Sequence, residues 1–251
     1  MFLLLAGFSG FLGILMGASS IGAVLLVPFL RYFGGVDVHV AIDSAMFSYI
    51  FSGAAGGWLY ARRRSIPWSP AGWLVLGAMP GAFLGSMLKS LVPGLALEVF
   101  IGLLLVFAGY TALRSGSGGA AAMRVLAKPV LVALGAFTGV VSALSGTGGP
   151  VTILPLLLWP EVPVLAAIGL AQAIQLPIAL LATGGNVLSG KIDFLIGSTI
   201  AAALVVGMVA GASLAHALSP AMLKRGVAWF ILIVGIGIFA KLLAAQFSSA
   251  V

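Results

Sequence analysis

The segment Ser145-Gly146-Thr147-Gly148-Gly149-Pro150 decides how this chain can fold. It lies inside an apolar run from Val130 to Trp159, which is too hydrophobic for a surface loop. A helix that crosses the hydrocarbon needs about 20 apolar residues and satisfies its own backbone hydrogen bonds. Three glycines and a proline disfavour such a helix, because in a helix interior glycine costs about 1 kcal/mol and proline about 3 kcal/mol. We therefore predict a broken helix whose freed N–H and C=O groups face protein or a wet cavity.

The composition predicts a membrane protein. Of the 251 residues, 62% are hydrophobic and 7% are charged, and the mean hydropathy is +1.25. A water-soluble domain of this composition would expose large apolar patches and aggregate. We interpret the chain as an all-α polytopic membrane protein. The sequence has no cysteine, which excludes disulfides and cysteine-ligated metals, and no motif in it calls for a metal or another cofactor.

The basic charge has an explanation that does not involve nucleic acid. The formal net charge is +7, and basic residues of membrane proteins collect in cytoplasmic loops and at anionic lipid surfaces. We expect the lipid bilayer as a partner and no nucleic acid. The first residues, Met1 to Leu5, lack a basic region, and no small-residue cleavage site follows the first apolar run. We interpret that run as a membrane segment and not as a removed signal peptide.

The chain divides into two halves joined by a linker. Residues 1–114 form the first half, which opens with an apolar run broken at Gly17 to Gly22 and continues with three plainer apolar segments. Residues 115–128 form a basic, Gly/Ser-rich linker, a composition typical of flexible connections. Residues 129–251 form the second half, which has the same arrangement.

Corresponding residues of the two halves recur at a nearly constant offset. The matches are Pro28 with Pro155 and Gly22 with Gly149, 127 apart, and Gly81-x-x-x-Gly85 with Gly207-x-x-x-Gly211 and Ala41-Ile42 with Ala167-Ile168, 126 apart. We infer two homologous repeats of about four hydrophobic segments, the first of each broken or re-entrant. Repeats with interrupted helices are typical of secondary transporters, although a duplicated structural bundle is the alternative. The spaced glycines favour close helix packing, within one chain or in a homodimer.

The relative orientation of the repeats depends on how each broken segment crosses the membrane. A single crossing gives parallel halves, whereas a re-entrant segment gives inverted halves. In either topology one side carries eight basic residues and the other four, so the positive-inside rule does not choose between them. We favour inversion, because two breaks that enter from opposite faces would meet at the midplane.

Polar side chains lie on one face of the second and sixth apolar segments. Ser44, Ser48 and Ser52 are spaced by four, and Gln172 and Gln175 by three, so each set shares a helix face. A buried amide needs a hydrogen bond, so these faces should point into the bundle. Contact between helices explains the serines as well as substrate contact does. For the glutamines we favour substrate contact.

Asp43 is a carboxylate within an apolar segment. Acidic residues inside a membrane are costly and commonly functional, for instance as proton carriers. Asp43 follows Asp37 and His39 closely, so a position at the wet interface is the alternative. We state coupling through Asp43 to a proton or another ion as a hypothesis.

These features resemble the TauE/SafE sulfite exporter family, also called the 4-toluene sulfonate uptake permease family. The resemblance covers nearly the whole chain and is carried by Gly17 to Pro28, by Ser145 to Pro150 with Leu154-Pro155, and by the two downstream glutamines. It implies transport of small sulfur-containing or organic anions, such as sulfite, sulfonates or sulfoacetate. It also implies a multi-pass protein of the bacterial inner (plasma) membrane.

An anionic substrate suits the residues at the breaks. Helix N-termini carry about half a positive charge and free N–H groups, and a glycine-rich bend lets an anion approach the backbone. No arginine is expected near the midplane, so dipoles and hydroxyls should supply the attraction. We expect alternating access, with one repeat rocking against the other. The candidate substrate-binding residues are Ser19, Ser20, Gly22, Ser48, Tyr49, Gly146, Thr147, Gly148, Gly149, Gln172, Gln175 and Asn186.

Two other functional classes are weighed against a carrier. A passive anion channel would use the same breaks without coupling. An intramembrane serine protease is suggested by Gly7-Phe8-Ser9-Gly10, with His216 as a base. Glycine and serine are abundant here, and His216 lacks the helix signature of rhomboid-like proteases. We predict no catalytic residues and no enzyme.

Overall fold

A computed structural model describes residues 2–19, 22–114, 126–158, 162–189, 192–214 and 220–248. All regular secondary structure in these ranges is helical, which confirms the all-α prediction. The elements are α1 (Phe2–Ser19), a 3-10 helix (Gly22–Leu25), α2 (Leu26–Tyr32), α3 (Val38–Arg62), α4 (Trp68–Lys89), α5 (Gly94–Arg114), α6 (Lys128–Ser145), α7 (Pro150–Leu158), α8 (Val164–Ser189), α9 (Phe194–Leu214) and α10 (Pro220–Ser248).

Five of the described helices are long and apolar enough to cross a membrane. Their apolar spans are Trp68–Lys89, Gly94–Thr111, Lys128–Ser145, Ala166–Leu188 and Phe194–Gly211. Helix α3 is not among them, although it has 25 residues. Its buried residues include an aspartate, three serines and two tyrosines, which lower its hydropathy. The chain is therefore a multi-pass membrane protein whose central helix is polar on the inside.

The first broken segment folds back on itself. The ring of Phe29 in α2 stacks on that of Phe8 in α1, with 3.9 Å between the ring centroids. At the other end of the segment, Gly22 packs on Leu12 of α1, where a Cβ would lie 2.8 Å from the Leu12 carbonyl oxygen. Early residues of α1 thus meet late residues of α2. The segment is a helical hairpin, which returns toward the end of the bundle at which α1 begins.

The second broken segment bends where the sequence analysis predicted. Gly146 ends α6 in the left-handed conformation, with φ of 70°, and its N–H donates to the Ser142 carbonyl oxygen at 2.8 Å. Gly148 and Gly149 also have positive φ, at 73° and 111°. Residues other than glycine rarely adopt these backbone angles. Helix α7 then begins at Pro150, since proline is favoured at the first position of a helix.

The spaced glycines pack helices within the chain. Gly85 of α4 lies against α6, where a Cβ would stand 2.7 Å from the Val140 carbonyl oxygen, and Gly207 of α9 lies against Gly10 of α1 with no room for a Cβ. Helix α4 packs on α6, α1 on α9, α5 on α10, and α3 on α8. Close backbone approach of this kind is what small residues allow in membrane helices.

The paired helices run in defined directions. Helices α4 and α6 are parallel, and so are α1 and α9, whereas α5 and α10 are antiparallel, and so are α3 and α8. The neighbours that fix these directions are Gly77 with Val132, Gly85 with Val140, Gly10 with Ala203, Ile14 with Gly211, Gly102 with Phe239, Gly109 with Ala228, Gly53 with Leu176, and Gly56 with Gln172.

Candidate functional site

The two breaks meet at α3. The hydroxyl of Tyr49 donates a hydrogen bond of 2.7 Å to the carbonyl oxygen of Ala23 in the first break. The ring of Tyr49 lies against the second break, where a Cβ on Gly148 would stand 2.9 Å from it. Gly146 packs on Ile42 of α3 and on Val27 of α2. We call this buried region, formed by Ala23, Val27, Ile42, Tyr49, Gly146 and Gly148, the break junction.

Hydroxyl groups surround the second break. Thr147 is buried, and its hydroxyl lies 3.0 Å from that of Ser145. Thr138 and Ser142 on α6 and Thr152 on α7 are also buried, and their hydroxyls have no hydrogen-bond partner among the residues that the structure describes. A buried hydroxyl without a partner is costly. These groups are therefore available to a polar ligand or to water.

Thr138, Ser142 and Thr152 were not among the site residues predicted from the sequence. The first two precede the break at a spacing of four and share a helix face. The same spacing had identified the serines of α3, so this signal was present in the sequence. Thr152 gave no such signal, because a single threonine in an apolar helix is common.

The polar faces of α3 and α8 point into the bundle, as predicted, and the structure shows that they contact each other. The side chain of Gln175 donates a hydrogen bond of 3.3 Å to the hydroxyl of Ser52, and the side-chain oxygen of Gln172 packs directly against Gly56. The polar side chains of Ser52, Gln172 and Gln175 are all buried. Ser48 differs, because its hydroxyl donates to the Ala45 carbonyl oxygen of its own helix at 2.7 Å. Amide contact thus joins the two central helices.

A buried ion pair lies beside the break junction. Lys89, at the end of α4, is 1% exposed and forms a salt bridge with Asp43 of α3, which is 0% exposed. The Lys89 ammonium also donates a hydrogen bond of 2.9 Å to the side-chain oxygen of Asn186 on α8. Asp43 directly follows Ile42, which contacts Gly146. We call Asp43, Lys89 and Asn186 the ionic cluster, which links three helices.

Lys89 is a buried charged group that was not among the predicted site residues. Dipoles and hydroxyls were expected to supply the attraction for an anion, and the structure adds a buried ammonium whose partner, Asp43, directly follows Ile42 of the break junction on α3. Lys89 was overlooked because it ends its apolar segment, four residues before Pro93. Asp43, for which a wet interface was the alternative, is fully buried.

The candidate residues of the first break are described in part. Ser19 is the last residue of α1, and Ser20 lies outside the described residues. Gly22 is buried against α1, so its role is close packing of the hairpin. Within the described ranges no group of three His, Asp or Glu side chains could hold a metal ion.

Two further polar contacts have structural roles. Arg31 pairs with Glu98 at 2.7 Å, and Tyr32 donates to the other oxygen of that carboxylate at 2.8 Å, which fixes the end of the hairpin to α5. Asp193 accepts from the N–H groups at the start of α9, at 2.9 and 3.0 Å. Ser9 is fully buried in α1, and His216 lies outside the described part of the chain.

Comparison with known proteins gives consistent matches over most of the chain. The family model described as "Sulfite exporter TauE/SafE" matches residues 2–238. A "Probable membrane transporter protein" of Xylella fastidiosa strain Temecula1 / ATCC 700964 is 31% identical over 222 residues, which cover 84% of this chain and 79% of the relative. A protein with the same description from strain 9a5c is 30% identical over 218 residues, with coverage of 84% and 79%. Among solved structures there is no significant match.

Proposed function

The chain belongs to the TauE/SafE sulfite exporter family, and on that premise we propose that it is a secondary transporter of small sulfur-containing or organic anions, such as sulfite, sulfonates or sulfoacetate. It is a multi-pass membrane protein of a transporter family. We assign it to the bacterial inner membrane and to an alternating-access mechanism. The proposal rests mainly on the meeting of both broken segments at Tyr49.

Inverted repeats are part of this proposal. If α1 to α5 correspond to α6 to α10, then α3 and α8 are equivalent, and so are α5 and α10. Equivalent helices run parallel when the repeat axis lies along the membrane normal, and antiparallel when it lies in the membrane plane. The antiparallel packing of both pairs supports inversion. Under the same correspondence, α4 is equivalent to α9, and α6 is equivalent to α1. The contact of α4 with α6 is therefore equivalent to that of α9 with α1, which supports the repeat.

The inverted topology gives the bundle a basic end and an opposite end. The hairpin returns to its side of entry and does not cross the membrane. Each half therefore crosses three times, through α3, α4 and α5 or through α8, α9 and α10. Among the described residues, the basic end then carries Arg62, Arg63, Arg64, Arg114, Lys128, Lys224 and Arg225. The positive-inside rule makes this end cytoplasmic. The ionic cluster lies toward the opposite end, near the start of α3 and the ends of α4 and α8.

We place the substrate at the break junction. The N–H groups of Thr152 and Ile153 already donate to the Gly149 carbonyl oxygen, both at 3.1 Å. Among the donors that the second break itself offers to an anion are the hydroxyls of Ser142, Thr147 and Thr152, together with the positive end of α7. Gln175 adds a polar group at the α3–α8 contact.

Transport in proteoliposomes tests the proposal. Native protein should take up a radiolabelled sulfonate with saturation, and Thr147→Val or Gln172→Leu should reduce the initial rate at least tenfold. A matched control is Thr199→Val on α9, away from the junction, which should transport normally. Equal uptake by the native protein and by both the Thr147 and the Gln172 variants would refute the site. Absence of uptake of any sulfur anion by the native protein would refute the proposed cargo.

Counterflow separates a carrier from a channel. A carrier loaded inside with unlabelled anion should accelerate uptake of the labelled anion, because the loaded transporter reorients in both directions. A passive channel would conduct a current and show no such acceleration. No catalytic role is proposed for Ser9, which is fully buried in α1.

A further inference from the structure

We propose that Lys89 binds the transported anion, that Asp43 occupies Lys89 when the anion is absent, and that each anion binds together with one proton taken up by Asp43. This inference rests on the proposed function and deepens it. It assigns the cation that holds the cargo and the residue that couples transport to a proton gradient.

The burial of the ionic cluster is the first observation behind the inference. Asp43 and Lys89 are both enclosed, and the helices that carry them pack among other helices of the bundle. Removing two charges from water is costly, and replacing such a pair by apolar residues is often neutral or stabilising. Stability alone therefore gives little reason to keep a buried lysine and aspartate. Ionisable groups inside a membrane commonly mark ion and substrate pathways.

The chemistry of the pair gives the second observation. One oxygen of the Asp43 carboxylate contacts Lys89, while Oδ2 has no hydrogen-bond partner within the described ranges. A sulfonate or sulfite presents the same kind of anionic oxygen to an ammonium as a carboxylate does. The carboxylate of Asp43 is therefore a built-in competitor for Lys89. When an anion displaces Asp43 from Lys89, the displaced carboxylate must be neutralised, because it would otherwise remain as an unpaired buried charge.

Protonation of Asp43 keeps the buried site neutral when an anion binds. With Asp43 ionised, the pair is neutral, and a bound monoanion would bring the buried site to a net charge of −1. With Asp43 protonated, Lys89 and the anion form the neutral pair instead. An uncompensated charge in a low-dielectric interior is strongly unfavourable, and a buried carboxyl responds by taking up a proton. Binding of one monoanion should therefore draw in one proton.

Other charged groups near α3 are engaged elsewhere. Directly before α9, the Asp193 carboxylate accepts hydrogen bonds from N–H groups in the first turn of that helix. Its backbone carbonyl oxygen accepts a hydrogen bond from the Ser44 hydroxyl on α3. Arg31 of α2 and Glu98 of α5 pair with each other. Helix α8 contributes the uncharged side chain of Asn186, which accepts a hydrogen bond from Lys89. Lys128, at the start of α6, lies over the ring of Trp73.

On α3 itself, His39 lies one turn earlier and faces Gly94, with Nε2 at 4.0 Å from where a Cβ there would stand. Tyr49 is bound to the first break. Lys191 lies outside the described residues. Lys89 is thus the charged side chain that faces Asp43 among the residues described.

The position of the cluster links it to the break junction. Asp43 follows Ile42, which packs against Gly146, so the two regions share one turn of α3. One turn from Lys89, Ser86 packs so tightly on Gly185 that a Cβ at this glycine would clash with it. A separation of α4 from α8 at this contact would open a route for an anion to Lys89. Such a separation is a movement of one half against the other.

The test measures anion and proton movement together in proteoliposomes. Methanesulfonate is the probe because it stays ionised throughout the pH range, so that any proton moved is carried by the protein. Radiolabel reports the anion, and an internal pH dye reports the proton. Native protein should move about one proton per anion and should respond to an imposed pH gradient. In Asp43→Asn, the methanesulfonate exchange that remains should carry no proton and should not respond to the gradient.

Removal of Lys89 is tested in a background that avoids a lone buried charge. The double variant Asp43→Asn with Lys89→Gln keeps hydrogen-bonding side chains of similar size and should lose uptake at least tenfold, while it remains monodisperse. A charge-matched control is Arg31→Gln with Glu98→Gln, which removes the other ion pair and should keep one proton per anion.

The outcomes are distinct for the two proposals. Native-like uptake by the double variant, or one proton per anion in Asp43→Asn, would overturn the assignment of Lys89 and Asp43 while leaving the transporter intact. Failure of the native protein to move methanesulfonate, sulfite or sulfoacetate would overturn the proposed function, and the present inference with it.

Discussion

The hydroxyl of Tyr49 donates a hydrogen bond of 2.7 Å to the carbonyl oxygen of Ala23, which connects α3 to the first break, while the ring of Tyr49 packs against the second. One side chain thus contacts both broken segments, although they lie in different halves of the sequence. Any movement of one break relative to the other must change the surroundings of Tyr49.

We expect Tyr49→Phe to lower stability and to alter transport. The substitution keeps the ring against Gly148 but leaves the Ala23 carbonyl without this donor, which costs about 1–3 kcal/mol for a buried group. Thermal unfolding of the purified protein should show the loss, and sulfonate uptake should change in rate. Tyr110→Phe is the control, because Tyr110 is half exposed on α5. Unchanged stability and uptake in Tyr49→Phe would contradict a role for this contact.

Gly148→Ala should damage the second break more than an alanine elsewhere in the bundle. Gly148 has φ of 73°, and an added Cβ would lie 2.9 Å from the Tyr49 ring. Backbone strain at a non-glycine residue in this region costs about 1–3 kcal/mol. The matched control is Gly184→Ala in α8, where a Cβ would meet nothing within 4 Å. There alanine should stabilise the helix by about 0.5–1 kcal/mol. Melting temperatures that fall equally in both variants would argue against the strained bend.

Gly81→Leu should separate α4 from α6. Gly81 lies directly on the backbone of Ala136, with no space for a side chain. Gly72→Leu, on the same helix, provides the control, since a Cβ at Gly72 has no neighbour within 4 Å. We expect the Gly81 variant to lose monodispersity in detergent while the Gly72 variant remains native-like. Equal behaviour of the two would show that this contact contributes little.

Lys89→Met alone should be more destabilising than its combination with Asp43→Asn. Removing one partner of a buried ion pair leaves an unpaired charge, at a cost of about 3–5 kcal/mol. Neutralising Asp43 in addition removes that charge, so much of the lost stability should return. A thermal-unfolding double-mutant cycle measures the recovery. Additive losses in the double variant would mean that the two side chains do not interact in the folded protein.

Inverted repeats predict a specific labelling pattern. The sequence contains no cysteine, so single cysteines can be introduced without removing others. In the inverted topology, Leu91→Cys and Ile192→Cys lie at the same end of the bundle, and Arg63→Cys lies at the other. Parallel repeats would place Leu91 and Ile192 at opposite ends. A membrane-impermeant thiol reagent applied to intact cells should therefore label the first two together and spare the third.

The sequence by itself determined the helical membrane class, the bend at Gly146 to Gly149 and the inward direction of Gln172 and Gln175. Each of these follows from local chemistry, because glycine angles, proline geometry and helical spacing act over a few residues. The glycine spacing also predicted close helix packing, but not which helices would be neighbours.

The tertiary structure decided which polar residues share an environment. Lys89 lies 46 residues from Asp43 in sequence and 97 from Asn186, and its local sequence suggests only a segment end. Its burial depends on α3 and α8 enclosing the end of α4, which is a long-range contact. The meeting of the two breaks at Tyr49 has the same origin. Pairing between distant helices, and the low dielectric that it creates, cannot be read from spacing within one helix.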